Sequence, residues 1–203
     1  MVHNSQQRRP PGRPQAFKPD DALDRAVEMF WEHGYEGVDV DRIARTVHVT
    51  KPALYRAFGD KPTLLLKAVQ RYAESFGAPM IQAFVAEPDI RKAVTAFCKT
   101  TVNTATGEQR TGCLMASAAL GNSERVAEIR SYFAQGLSWS ADILADRFEK
   151  EIRAKRLSAR VPARVRGRAL IDLMQGMLLR AKAGVSRKAL LHDALSYVPL
   201  ILD

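Results

Sequence analysis

The stretch Asp41 to Phe58 (D-R-I-A-R-T-V-H-V-T-K-P-A-L-Y-R-A-F) leaves few options beyond two short helices joined by a tight turn. Asp41 is an N-cap candidate, and Ile43, Ala44 and Val47 give the first helix one apolar face. His48-Val49-Thr50 breaks that periodicity. Thr50 is placed to cap a second helix, Pro52 is tolerated in its first turn, and Ala53, Leu54, Ala57 and Phe58 supply its buried face. Thr50, Lys51, Tyr55 and Arg56 are then hydrogen-bond donors gathered at the front of that helix. A recognition helix needs this division: a buried face sets its angle, and polar groups near its N-terminus meet base edges and phosphates.

Periodicity alone fits an ordinary helical hairpin equally well, and the flanks decide between the two. Residues 20–36 read as one helix with Ala22, Leu23, Ala26, Val27 and Phe30 on a stripe, stopped by Gly34 as a left-handed cap. Gly59-Asp60-Lys61-Pro62 turns the chain into a further long helix.

With its order F-W-E-H-G-Y-E-G, then I-A-R-T-V-H-V-T-K-P-A-L-Y-R-A-F-G-D-K-P-T-L-L, the chain resembles the N-terminal domain of the TetR family of transcriptional regulators over about residues 17–72. The resemblance implies an all-α homodimer with a three-helix DNA-reading domain and a divergent helical-bundle domain that binds a small effector. It implies that Lys51 approaches a base edge, that Thr50, Tyr55 and Arg56 hold phosphate or base, and that Lys61 meets a phosphate; Arg42 joins this set. His48 departs from the pattern, because the family usually has Gly in that turn. A positive φ there is tolerated by His more readily than by a β-branched residue.

The expected division is a flexible basic arm over 1–16, a helix-turn-helix domain over 17–62 and an effector-binding and dimerisation domain over 63–203. A chain of 203 residues is long enough for this. No window holds the roughly 18 uninterrupted apolar residues of a membrane span. The polar, Pro-rich start is unlike a signal peptide, and two cysteines make no disulfide framework, so the expected location is the cytoplasm.

The net charge of +9 points to a polyanionic partner, yet the helix-turn-helix is not its source. Residues 20–62 carry six basic and nine acidic side chains, whereas 150–188 carry twelve basic against two acidic. Phosphate contact must then rest on the local placement of Lys51, Arg56 and Lys61. The excess in 150–188 reads first as solvated helix faces. In the arm, Gly12-Arg13-Pro14 is the core of AT-hook-like segments, which makes Arg13 a candidate for the minor groove.

Beyond residue 62 the pattern stays helical. Helix four is expected to run to about Phe76, with Gly77 and Pro79 interrupting it. A helix follows Pro88-Asp89, Asn122 or Ser123 caps a long one, and Ser186 caps the last. The segment from Val165 to Ala181 is apolar on nearly every side and must bury two faces. By resemblance, the last two helices form a four-helix dimer interface through Leu170, Met174, Met177, Leu178, Leu191, Leu195 and Val198. Two recognition helices at fixed separation would then read a near-palindromic double-stranded operator.

Phe76, Met80, Phe84, Phe97, Met115, Trp139 and Met174 are the candidate lining of an effector pocket, suited to an apolar or aromatic molecule. Cys113 joins them: Gly112-Cys113-Leu114 resembles a G-C-L motif of one family branch, some of whose members respond to electrophiles or oxidants. Its place at a helix start predicts a lowered thiol pKa, whereas Cys98 reads as core. No His lies at a spacing that ties it to Cys113, no His/Cys cluster has metal-ligand spacing, and no phosphate loop follows a strand. A helical enzyme is therefore disfavoured, and no cofactor or metal is expected. An effector-independent architectural DNA-binding dimer is the closer rival to a repressor released by its effector.

Overall fold

The computed structural model describes residues 17–107 and 112–203; the expected arm, with Arg13, lies outside the described residues. The described residues form an all-α fold. Helix α1 (Pro19–Gly37), α2 (Val40–Thr46) and α3 (Lys51–Phe58) precede α4 (Lys61–Tyr72), and the chain continues through α5 (Ala78–Ala86), α6 (Ile90–Ala105) and α7 (Leu114–Ala119). Three helices complete it: α8 (Val126–Arg153), α9 (Ala163–Lys182) and α10 (Arg187–Leu202).

Local chemistry explains most boundaries. Thr50, Asp60, Asp89 and Ser186 each accept a bond from the backbone N–H three residues on, satisfying donors that α3, α4, α6 and α10 would leave orphaned. Asp39, not Asp41, caps α2 by accepting from the Asp41 N–H at 2.9 Å, since the helix begins one residue before Asp41. Arg125 holds the N-cap position of α8, in place of Asn122 or Ser123; the Ser123 hydroxyl accepts from the Arg125 N–H in the preceding turn. Gly34 breaks α1 at φ 69°, ψ 179°, an extended positive-φ conformation rather than a left-handed cap, and a last turn follows it.

Gly77 and Pro79 do not interrupt the helix after α4. Ala73–Gly77 forms a π-helical turn that joins α4 to α5 without leaving helical backbone angles. The wider turn accommodates the N–H that Pro79 lacks, where a regular α-helix would lose a bond and meet the ring.

One hydrophobic core runs from Ala22 in α1 to Leu202 in α10, crossing the expected boundary at residue 62. Arg71 of α4 pairs with Asp24 of α1 at 2.8 Å, and α4 packs along α1 through Leu64, Leu65, Ala68 and Val69. α8 and α9 pair closely where Gly167 lies against the backbone of α8. Leu170, Met177, Leu178 and Val198 are buried within this single chain, which takes them out of the exposed surface expected of a dimer interface. The exposed large apolar residues of α9 and α10 are Val165, Leu179 (69%), Leu195, Tyr197 and Leu200 (71%), while Met174 and Leu191 are half-buried.

Candidate functional site

The turn between α2 and α3 closes with backbone bonds from His48 N–H to Arg45 and from Val49 N–H to Ala44. His48 takes φ 56°, the left-handed conformation in which Gly carries no side-chain penalty. The side chain stays exposed, so the turn keeps its shape without burying an imidazole.

Leu54 and Phe58 anchor α3, and Tyr55 and Arg56 face solvent. Thr50 uses its hydroxyl on the Ala53 N–H. Lys51 reaches back to Asp41 at 2.8 Å, and its ammonium lies 5.9 Å from the Tyr55 ring centroid. That hydrogen bond pushes the Lys51 pKa up, so it remains an ammonium, held in place but half-exposed. Arg42 meets His33 at 3.3 Å, and Lys61 sits over the Tyr35 ring at 4.6 Å. Lys51, Tyr55, Arg56 and Thr50 thus share the solvent side of one short helix, with Arg42 on α2. Arg45, exposed and 3.8 Å from Asp39, adds a cation that the sequence reading passed over; its position on the polar side of α2 is the available signal.

A second feature is a cavity of about 460 Å³ within the larger helical region. Phe76, Met80, Cys113, Met115, Trp139 and Met174 line it, joined by Tyr72, Tyr132 and Phe133 among others. Phe84 and Phe97 do not: they pack edge-on at 5.9 Å, with Phe148 of α8 at 5.8 Å from Phe84, in the core between α5, α6 and α8. Tyr72, missed as a lining residue, is stacked on Phe76 one helical turn away. Trp31 of α1 packs edge-on against both rings at 4.8 and 5.1 Å and donates to the Gly112 carbonyl at 3.2 Å. The cavity wall is therefore in direct contact with the element that carries the helix-turn-helix.

Cys113 corrects an expectation. It is the N-cap of α7, and its sulfur accepts from the Ala116 N–H at 3.5 Å. Burial nevertheless pushes its thiol up, outweighing the helix start and the Tyr72 hydrogen bond. Cys98, buried in α6, is pushed up to about 11. In a Cys98→Ala background, alkylation of folded Cys113 by iodoacetamide is expected to rise about tenfold per pH unit from pH 7 to 9 without levelling, because only the thiolate reacts. Mass spectrometry of timed samples checks this; a plateau below pH 8 would mean an activated thiol.

No metal-holding group of three or more His, Cys, Asp or Glu is found among the described residues, and no helix there is long and apolar enough to cross a membrane.

An exposed helix-turn-helix joined to a larger all-α region is the architecture of a DNA-binding regulator. The family model for bacterial regulatory proteins of the tetR family matches residues 22–68. The HTH-type transcriptional repressor ComR of Escherichia coli is 32% identical over 106 residues, 51% of this chain and 50% of ComR. The transcriptional activator FasR of Mycolicibacterium smegmatis is 36% identical over 76 residues, covering 36% of this chain and 35% of FasR. The chain thus spans about half or less of these two relatives. Among solved structures, a cysteine mutant of the TetR family regulator CifR, complexed with 26-bp operator DNA, superposes with a TM-score of 0.80. It is 28% identical and covers 93% of this chain and 98% of that one. Residues 22–68 thus match the tetR family of bacterial regulatory proteins, and the chain as a whole resembles a TetR family transcriptional regulator in sequence and fold.

Proposed function

We propose that this chain is a cytoplasmic repressor that binds a near-palindromic operator as a homodimer and releases it when a small apolar molecule enters the cavity. The observation that carries the reading is the contact between Trp31 and the cavity residues Tyr72 and Phe76, which joins a ligand-sized space to the helix-turn-helix support. A ligand that favours one arrangement of these rings shifts the spacing of two recognition helices, and by linkage DNA weakens its binding by the same factor. The exposed Leu179, Leu195 and Leu200 on α9 and α10 give a second copy apolar surface to cover. The name of ComR favours repression and that of FasR activation. We take repression because steric release needs no contact with polymerase. A thiol-reactive effector is the weaker variant, since the Cys113 thiol is pushed up.

Fluorescence anisotropy with DNA from upstream of the gene, against excess unrelated duplex, tests this. Sequence-specific binding that survives the competitor is expected. Lys51→Ala should weaken operator binding by about ten- to a hundredfold and relax specificity at one position. An equal loss on every sequence would make Lys51 a phosphate contact. Wild-type binding that titrates away would favour an architectural binder instead.

A further inference from the structure

The charge of the cavity wall is at odds with the charge of the protein. The chain carries +9 overall, yet among the described lining residues Glu74 is the only Asp, Glu, Lys, Arg or His. Glu74 lies on the π-helical turn, on the solvent side of the wall. The nearest cation along its own helix, Arg71, is directed at α1, where it pairs with Asp24 at 2.8 Å and Asp20 at 3.8 Å. No ion pair to Glu74 forms among the described residues. Burial, and after it the Glu74 carboxylate, pushes the pKa of the Tyr132 hydroxyl on α8 up.

The rest of the described wall is uncharged, with five aromatic rings and four sulfur-bearing side chains set among aliphatic and neutral polar ones. Tyr72 and Phe76 come from α4 and the π-helical turn that continues it, Tyr132, Phe133 and Trp139 from α8, and Trp139 is 57% exposed. Aromatic faces carry negative quadrupole and attract a cation that has lost part of its water. An anion here would face those rings and a carboxylate, with no lining cation among the described residues to offset its lost hydration. A volume of about 460 Å³ suits a ligand with several rings.

We propose that this cavity selects a lipophilic aromatic cation, its charge held toward Glu74 and its rings among the lining aromatic side chains. The proposal rests on the reading of the cavity as the effector site and narrows that reading to one ligand class.

The test uses three tetrahedral probes of similar size: tetraphenylphosphonium, neutral triphenylphosphine oxide and tetraphenylborate. Binding to the full chain is followed by calorimetry and by Trp fluorescence. The cation is expected to bind at least about tenfold more tightly than the borate, against the attraction that a +9 protein exerts on anions. Glu74→Gln should cut that preference to about threefold, the aromatic faces remaining. Gly136→Leu serves as the site control. A Cβ at Gly136 meets Met115 Cε at an ordinary 3.9 Å, so the backbone has room for a side chain that extends into the cavity, and a thermal melt verifies that the variant is folded. It should abolish binding of all three probes. Equal affinities that Gly136→Leu abolishes would overturn the charge selection and leave the cavity as an effector site. Absent binding, or binding indifferent to Gly136→Leu, would overturn both.

Discussion

Replacing Arg147 with methionine is expected to lower the unfolding free energy by about 3–5 kcal/mol, because the change strands a buried carboxylate and several carbonyls at once. Arg147 donates to Glu151 at 2.9 Å within α8, and the same guanidinium reaches the carbonyls of Val85 (3.0 Å), Glu87 (2.6 Å) and Pro88 (2.7 Å). Those carbonyls lie where α5 ends and the chain turns into α6, so one side chain completes a helix end and a connection together. Glu151 is 4% exposed and would keep only Arg156, at 2.7 Å. Methionine matches the stem of arginine, so the loss reports the charge and hydrogen bonds rather than a cavity. Urea denaturation of both proteins at pH 7 measures it, and a loss under about 1 kcal/mol would show that water satisfies these groups.

The same comparison carries a pH signature. Arg156, then Arg147, hold the Glu151 carboxyl below the usual carboxylate range against the opposing effect of burial. A carboxyl whose pKa is lower in the folded state stabilises the protein above its unfolded pKa, and that contribution is lost as pH falls through the folded value. The gap between wild type and Arg147→Met should therefore be full at pH 6–7 and shrink below about pH 4.

The second large effect is expected at Gly167, where alanine should destabilise by about 3 kcal/mol and valine should prevent a native fold. A Cβ there would stand 2.5 Å from the Ala141 carbonyl oxygen and 2.8 Å from the Ala145 nitrogen, both backbone atoms of α8. Side chains can swing away from an intruding methyl, but helix backbone cannot; α9 would have to move off α8 as a body. Since α9 also meets α6 and α10, the displacement would loosen most of the larger helical region. Gly176, also inside α9, is the internal control, because nothing lies within 4 Å of its Cβ position. Gly176→Ala should stabilise by about 0.5–1 kcal/mol through helix propensity alone. Thermal denaturation of the pair decides: similar melting points would mean that α8 and α9 separate without cost.

The features legible in the sequence were those that depend on a few neighbouring residues. Thr50 caps α3 because its hydroxyl needs only the Ala53 N–H. The polar front of α3 follows from Leu54 and Phe58 lying on its other side. What failed did so where distant elements compete for the same side chain. The apolar faces of α9 were evident, but α8, α6 and α10 take Leu170, Met177 and Leu178 inward and leave Leu179 outside. Phe84 and Phe97 had the composition of a pocket lining, yet Phe148 lies beside Phe84 and fills the space. Cys113 was read from its helix start, and burial between elements far apart in the chain reversed the direction of its pKa.

The sequence by itself determined an all-α chain with a capped, donor-fronted short helix near its start, because helical period, N-caps and turn residues act over a few positions. Tertiary structure alone decided which apolar residues enclose a cavity and which fill the core. It also carried the helix through Pro79 by a π-helical turn and set Trp31 against Tyr72 and Phe76. Those outcomes depend on which surfaces meet, and a pattern of apolar residues specifies that a face is buried without naming its partner.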